Sequence, residues 1–265
     1  MKFKKLILGL SIAAALVAGG CSKPKKQSEP ILTKSQVIKC SQKSFKSGQA
    51  KQTVTLGTDT SKQVVATTAL FGGNPTVFQL NYETQSKGKT QSSQEWVDSA
   101  NHVYINGQSK WYKADFNKLT GHSYADLLDS FTNNAMLMDP PAALTKAYKM
   151  TRKGHTYTLN AKIKDQQTMK DALDPIFITN TQSPKQKPIY NKLVKMGKIQ
   201  GMTAKLVVKN KKLYSFQYLV KIKVNKLMHF SAGQSYGNMG KQDFLKIPNN
   251  ALNAHPLPKA DKKKK

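Results

Sequence analysis

The residue whose chemistry is easiest to infer from its surroundings is Cys21. It follows three small residues at positions 18–20 and an apolar run of thirteen residues, Leu6–Ala18, which is itself preceded by the lysines Lys2, Lys4 and Lys5. A basic start, an apolar run and small residues before a cut are typical of a secretory signal peptide. At about 1.5 Å per helical residue the run is too short to cross a hydrocarbon core of roughly 30 Å. We therefore predict that residues 1–20 are removed and that Cys21 becomes the first residue.

This arrangement resembles the lipobox of bacterial lipoproteins, in which the cysteine thiol forms a thioether with diacylglycerol. The match departs from the family pattern at Ala18, because leucine is preferred at the third position before the cysteine. The resemblance implies a lipid attached to Cys21 and a location on the extracytoplasmic face of the cell membrane. Ordinary secretion with a coincidental cysteine is the alternative. With Cys21 lipidated, Cys40 has no disulfide partner, and we expect it to be a small buried side chain.

A second group that could do chemistry is Gly233-Gln234-Ser235-Tyr236-Gly237, which matches the spelling of a nucleophile elbow. Asp243 and His255 follow it in the order of a serine hydrolase. Such an elbow needs a strand, a tight turn and a helix in a parallel sheet. Asn238-Met239-Gly240 is a poor helix start, and only 20 residues separate Ser235 from His255. We predict a strand end here and no enzyme.

His122, Asp126 and Asp129 have spacings of four and three, which would suit a metal site on one helix face. However, Ser123 followed by Asp126 is a capping-box pattern, which gives Asp126 a structural role and places His122 before the helix. We predict neither a metal nor a cofactor.

The chain carries a net charge of +29, from 43 basic and 14 acidic residues. Loss of three lysines with the signal peptide would leave +26. This charge attracts polyanions, such as phospholipid head groups, phosphate-bearing wall polymers and nucleic acid. Because Arg152 is the only arginine and forked recognition of guanine favours arginine, we predict no nucleic-acid partner. General solubility is the alternative explanation of the lysine bias.

Changes in composition divide the mature chain into three parts. Residues 21–30 are polar and rich in lysine, which indicates a flexible tether. Residues 31–258 contain the periodic apolar patterns of a single domain, and residues 259–265 form a basic tail.

The domain is expected to be α+β, with a curved antiparallel sheet of about nine strands. Short runs separated by turn residues are strand-like and too close in sequence for parallel pairing. The predicted strands are Gln49–Gly57, Lys62–Phe71, Thr76–Thr84, Ser93–Val97, His102–Asn106, His155–Lys164, Met202–Lys209, Tyr214–Val224 and Leu227–Ser235. Helical patterns cover Ile31–Ala50, a segment from Ser123 to Met138, Ala142–Met150, Thr168–Phe177 and Pro188–Met196.

Two of these elements have a strong apolar face. In the helix after Ser123, the apolar face consists of Tyr124, Leu127, Leu128 and Phe131. In the longest predicted strand, apolar residues occupy every second position, beginning with Tyr214, Phe216, Tyr218 and Val220. We expect these eight residues to line a ligand cavity; an ordinary core is the alternative.

In layout, residues 31–254 resemble the LolA-like and LppX-like lipoprotein carriers, which have an anchored cysteine, a helix, an unclosed sheet and inserted helices. They also resemble a group of uncharacterised lipoproteins of Gram-positive bacteria. That resemblance rests on Val103-Tyr104-Ile105-Asn106-Gly107, on Lys110-Trp111-Tyr112-Lys113, and on Ile247-Pro248 with Asn253-Ala254. In the carriers, an incomplete barrel holds acyl chains under helices.

The resemblance therefore implies a non-enzymatic surface lipoprotein that binds a lipid or other hydrophobic ligand in a half-barrel cavity. A module that binds anionic wall polymer or the membrane surface through its charge is the alternative.

Overall fold

A computed structural model of the protein describes residues 30–258 except 44, 59, 108, 181–194, 196 and 225–227. Contacts divide the chain into two units, Met1–Ile31 and Leu32–Lys265. All the elements below belong to the second unit.

In the described residues, twelve strands form one sheet in the order β12-β6-β5-β4-β3-β2-β1-β11-β10-β9-β8-β7. The strands are β1 Gly48–Gly57, β2 Lys62–Gly72, β3 Val77–Ser86, β4 Lys89–Val97, β5 His102–Asn106, β6 Trp111–Asp115, β7 Lys149–Lys153, β8 Thr156–Ile163, β9 Lys198–Lys209, β10 Lys212–Lys223, β11 His229–Gly237 and β12 His255–Pro256. All neighbours are antiparallel except β12 and β6. The sheet is curved and does not close.

Seven helices accompany these strands in the described part of the chain: α1 Lys34–Ser41, α2 Phe116–Thr120, α3 Tyr124–Thr132, α4 Ala135–Met138, α5 Ala142–Ala147, α6 Gln166–Asn180 and α7 Asn249–Leu252. The start of α3 is set by a reciprocal capping box, in which the Ser123 hydroxyl accepts from the Asp126 amide and the Asp126 carboxylate accepts from the Ser123 amide. This confirms the structural role predicted for Asp126. None of the described helices combines the length and the apolar character needed to cross a membrane.

Alternation along the strands gives the sheet two different sides. On β10, Phe216, Tyr218, Val220 and Ile222 are buried, and the residues between them are half-buried or exposed. The buried set packs with residues of α3, α4 and α6 in the main core, so we call this the helix-facing side. The other side of the strands is the open side. Near β4–β6 the open side carries a small second cluster, in which Trp96 and Tyr104 pack under Ala251 of α7.

The expected curved, unclosed antiparallel sheet with helices is confirmed, but the predicted count of nine strands is wrong. The three missed strands are β6, β7 and β12. All five residues of β7 are exposed or half-buried, so it lacks an apolar alternation. In β6, residues on both faces are half-buried, and β12 has only two residues.

Two predicted helices are longer than the observed ones. The helix predicted over Ile31–Ala50 ends at Ser41, because β1 already begins at Gly48 and pairs with β2 and β11. The helix predicted over Ala142–Met150 ends at Ala147, where the chain becomes extended and pairs with β8. The helix predicted over Pro188–Met196 lies outside the described residues.

The two edges of the sheet are short strands. At one edge is β7, whose five residues include Lys149, Arg152 and Lys153. At the other edge is β12, which pairs through His255 and Pro256 only.

Candidate functional site

The helix-facing side and the helices that cover it enclose one apolar interior. Helix α6 lies across the middle of the sheet and contacts β1, β2, β9, β10 and β11, and α3 and α4 pack against α6. Helix α6 contributes four fully buried side chains, Met169, Ala172, Leu173 and Ile176. In the described structure, the apolar side chains of this interior are chemically suited to line a site for an acyl chain.

Five of the eight residues predicted to line a ligand cavity come together in this interior: Leu127, Phe131, Phe216, Tyr218 and Val220. Each is at most 3% exposed, and therefore packs against protein atoms in this conformation. The Phe131 ring lies 6.1 Å from the Phe71 ring and nearly parallel to it, with an angle of 15° between the planes. These residues form a packed core, and their role toward a ligand stays a prediction.

The other three predicted residues lie at the margin or outside. Tyr124 and Leu128 are half-buried, and the Tyr124 hydroxyl donates to the carbonyl oxygen of Thr76 at 2.8 Å. Tyr214 is 60% exposed, so the expectation that it continues the buried face of β10 is wrong. The pairing of β10 with β9 shifts between Leu213 and Ser215, which leaves Tyr214 as the extra residue of a β-bulge.

A buried polar cluster joins the sheet to the helices in this interior. We call Gln52, Asn134, Tyr218, Gln234 and Tyr236 the polar cluster; each is at most 3% exposed. The Gln234 side-chain oxygen accepts from Asn134 Nδ2 at 3.1 Å and from the Tyr218 hydroxyl at 2.9 Å, and Gln234 Nε2 donates to the Tyr236 hydroxyl. Sequence analysis missed this cluster because its central residue lies in the glycine-rich segment that resembles a nucleophile elbow.

The polar cluster also bonds to backbone oxygens of two helices. The Tyr218 hydroxyl lies 2.8 Å from the carbonyl oxygen of Ala172, and Gln52 Nε2 donates to the carbonyl oxygen of Pro175 at 3.2 Å. The Tyr236 hydroxyl reaches the carbonyl oxygen of Ser130 in α3 at 3.3 Å. Burial raises the pKa of Tyr236 well above its ordinary value, so this hydroxyl stays protonated. The helices are therefore held by directed hydrogen bonds as well as by apolar contact.

A half-buried carboxyl group with a raised pKa lies at the margin of the helix-facing side. Glu95 is on β4 opposite Leu80, a core residue. Loss of hydration raises the pKa of Glu95 to about 7, and a hydrogen bond with Tyr82 partly opposes that rise. No sequence pattern identified Glu95, because its burial depends on how β3 and β4 pack under the rest of the chain.

The open side has three hollows formed by described residues. The largest, about 780 Å³, lies over β8, β9, β10, β11 and β1 and is lined by polar, small and basic residues. A second hollow of about 460 Å³ continues over β2, β3 and β4, and a third of about 340 Å³ lies near Lys62, Lys221 and His229. The first two hollows meet at Lys51. These hollows are open and basic, whereas the interior on the other side is closed and apolar.

The hydrolase-like residues are not brought together. Ser235 is in β11, whereas His255 is in β12, seven strand positions away in a sheet that does not close. Asp243 accepts a hydrogen bond from the Ser47 hydroxyl. The Ser235 hydroxyl contacts only the carbonyl oxygen of Lys51, at 3.5 Å, among the hydrogen bonds described for it.

The three residues whose spacing would suit a metal site are His122, Asp126 and Asp129, and two of them have local structural roles. Asp126 caps α3, and Asp129 accepts from the Asn133 side chain at 2.8 Å. In the described ranges, no three histidine, cysteine or acidic side chains are grouped closely enough to hold a metal ion. Cys40 is half-buried and packs against the main core.

Comparison with known proteins gives one family and several distant structures. The profile of a family of unknown function (DUF6612) matches residues 27–255. None of the curated proteins matches the chain.

Among solved structures, LprF from Mycobacterium bovis is similar, with 14% identity and a TM-score of 0.43, over 82% of this chain and 96% of that chain. A LolA superfamily protein from Nitrosomonas europaea is also similar, with 8% identity and a TM-score of 0.23, over 83% and 96% of the two chains. The dehydratase domain from the CurK module of curacin polyketide synthase has 7% identity and a TM-score of 0.17, over 72% and 74%.

Proposed function

The chain belongs to the family of unknown function (DUF6612), and we propose that it is a lipoprotein that binds a lipid or another hydrophobic ligand between its helices and its sheet. The observation that supports this most is the packing of separate helices, α3, α4 and α6, over the apolar side of an unclosed sheet. An apolar interior of this kind suits an acyl chain, since burial of each CH₂ group contributes about 0.8 kcal/mol.

Ligand entry requires the helices to separate from the sheet. Leu127, Phe131 and Phe216 are buried against protein, so a ligand would replace contacts that the closed form makes. The helices that must move are α3, α4 and α6, and the polar cluster supplies the hydrogen bonds that such a movement would break. The ligand-free protein is then mostly closed, and the apparent affinity is reduced by the fraction of molecules that are open.

The proposed anchor is diacylglycerol on Cys21, which would hold the protein at the extracytoplasmic face of the cell membrane. Cys21 and the tether up to residue 29 lie outside the described residues, so this proposal rests on the sequence. A protein anchored to the bilayer in this way would have membrane lipid, a ligand of the proposed kind, in its immediate surroundings.

We propose that the protein acts by binding and does not catalyse a reaction. The separation of Ser235 from His255 across the sheet supports this, because a serine nucleophile needs a base within hydrogen-bond reach. If Ser235→Ala changed the turnover of an ester substrate, the protein would be an enzyme and this part of the proposal would be wrong.

The experiment that tests ligand binding is mass spectrometry of the full-length protein purified gently from its own cells. We expect a lipid in a stoichiometric amount that remains bound in high salt. A protein free of lipid that also fails to bind a fluorescent fatty-acid analogue would overturn the proposal.

A matched pair of variants tests whether the helices must open. Tyr218→Phe removes one hydroxyl of the polar cluster and weakens the closed form by about 1 kcal/mol, so we expect about fivefold tighter apparent binding of the fatty-acid analogue. Tyr214→Phe removes a hydroxyl from an exposed tyrosine and is the control. Equal affinities of the two variants would show that the ligand does not enter at this interface.

A further inference from the structure

The open side of the sheet carries a continuous row of polar side chains. In this polar row each residue is the direct partner of the next across nine neighbouring strands, from β4 to β7. The row consists of Gln94, Asn81, Thr68, Lys51, Ser235, Gln217, Lys205, Asn160 and Lys149. At about 4.8 Å between neighbouring strands, its eight steps extend over roughly 38 Å.

The polar row lies in the two largest hollows of the open side. All nine of its residues line one or both of these hollows, and Lys51 lines both. Beside the row, Gly233 lines the first hollow and contributes no side chain to it. A side chain there would place its Cβ 2.7 Å from the carbonyl oxygen of Tyr218, so the backbone itself forms the surface at this point.

Three lysines are spaced along the part of the polar row from β1 to β7. From Lys51 to Lys205 there are three strand steps, about 14 Å, and from Lys205 to Lys149 two steps, about 10 Å. All three side chains are exposed, and no described carboxylate is paired with any of them. Glu83 is the one acidic residue among the described linings of the three hollows. The row therefore presents spaced positive charges whose field is not cancelled locally.

We propose that the polar row binds a linear polymer that is rich in hydroxyl groups and carries phosphate groups. The amide and hydroxyl side chains between the lysines can donate to and accept from polyol or sugar hydroxyls, and lysine ammonium groups bind phosphate as point charges. A row that extends over roughly 38 Å and lies in two hollows fits an extended chain better than the flat surface of a bilayer. This site lies on the opposite side of the sheet from the proposed lipid site and does not depend on it.

A lysine variant tests the charge part of this proposal. The full-length protein in detergent is titrated with a glycerol phosphate oligomer of defined length, and binding is measured by calorimetry. We expect the combined variant Lys51→Gln, Lys149→Gln and Lys205→Gln to bind at least about tenfold more weakly at about 0.1 M salt, because three cationic contacts to phosphate groups are removed. The slope of log affinity against log salt should become shallower by about 2, as three phosphate contacts are lost.

The matched control removes the same charge elsewhere. Lys39→Gln, Lys118→Gln and Lys246→Gln change three exposed lysines that line none of the three hollows. We expect less than about a threefold change in affinity from this set, because distant surface charges are screened. An equal loss in the two triple variants would mean that net charge alone attracts the polymer, and it would overturn the proposed row.

A second pair of probes tests the hydroxyl part. Gln217→Ala with Asn160→Ala should weaken binding of the glycerol phosphate oligomer several-fold and leave binding of inorganic polyphosphate of equal charge unchanged. Equal weakening for both probes would overturn recognition of hydroxyl groups. Tighter binding to phosphatidylglycerol vesicles or to single-stranded DNA than to the oligomer would assign the surface to another kind of partner and would also overturn the proposal.

Discussion

The two sides of the sheet are built from the same strands and differ in almost every physical property. The helix-facing side is mainly apolar and closed, with the polar cluster buried inside it, whereas the open side is mainly polar and basic and carries the hollows. On β10, successive side chains alternate between the two sides of the sheet. Tyr218 belongs to the polar cluster, and its neighbour Gln217 belongs to the polar row. Because successive side chains point to opposite sides of a strand, one stretch of sequence supplies two different surfaces.

This difference means that substitutions one residue apart should have separable effects. Changes on the helix-facing side should act on stability and on the closing of the helices, and changes on the open side should act on binding of charged ligands. Experiments can therefore support or overturn the two proposed sites independently.

The largest expected effect is the loss of stability when an aromatic ring is removed from the helix-facing side. Phe131 is 1% exposed and its ring centre lies 5.6 Å from that of Phe78. We expect Phe131→Ala to lower the free energy of unfolding by about 3–5 kcal/mol, from lost burial and the cavity left behind. Chemical denaturation measures this. The control, Gln217→Ala on the open side, should stay within about 0.5 kcal/mol, and a comparable loss in the control would contradict the contrast between the sides.

The second effect concerns the pH dependence of stability. The folded pKa of Glu95, about 7, lies above its unfolded value of 4.5, so the folded state holds the proton more strongly. The contribution of this group to stability is full below pH 4.5 and is lost as the pH rises to about 7. Glu95→Gln should thus raise the free energy of unfolding at pH 8 by roughly 1–3 kcal/mol and change it little at pH 4.

Unfolding curves of the two proteins at a series of pH values measure this difference. Glu83→Gln removes an exposed acid on the open side of the neighbouring strand and is the control. If the gain from Glu95→Gln were the same at pH 4 and pH 8, the carboxyl group would not be the cause.

The third effect is the loss of one hydroxyl from the polar cluster. Tyr218→Phe leaves the Gln234 oxygen with one donor fewer in a buried place, which we expect to cost about 1–2 kcal/mol in unfolding free energy. The exposed Tyr214→Phe should cost almost nothing. If the two variants Tyr218→Phe and Tyr214→Phe had the same free energy of unfolding, the Tyr218 hydroxyl of the polar cluster would contribute no net stability.

The smallest effect belongs to the lysines of the polar row. Lys51→Gln, Lys149→Gln and Lys205→Gln should change the free energy of unfolding by less than about 1 kcal/mol, upward if repulsion among cations is relieved. Denaturation of this triple variant, alongside the binding measurement, tests the contrast most finely. A large destabilisation would place these lysines in the structural framework of the sheet.

The sequence predicted the parts of this fold that depend on local patterns. The alternation through Phe216, Tyr218 and Val220 identified the helix-facing side of β10, and the capping box at Ser123 and Asp126 identified the start of α3. Each of these signals lies within one element, where side-chain spacing and backbone geometry are directly linked.

The parts that were missed depend on pairing between distant residues. The polar row requires Lys51 to lie opposite Ser235, 184 residues later, and that register is set by the whole order of strands. The bulge at Tyr214 and the burial of Glu95 likewise arise from neighbouring strands, and no periodic signal marks them.

The short edge strands would matter if the anchor proposed on Cys21 held many copies of the protein side by side on a membrane. An exposed strand edge offers unpaired amide and carbonyl groups to any other edge and can seed stacking of one molecule on another. Here one edge carries Lys149, Arg152 and Lys153, which repel a second copy, and the other ends after two residues at Pro256, which has no amide to offer. The unclosed sheet of the described residues thus offers little opportunity for edge-to-edge pairing, even in the crowded layer that the proposed anchoring would create.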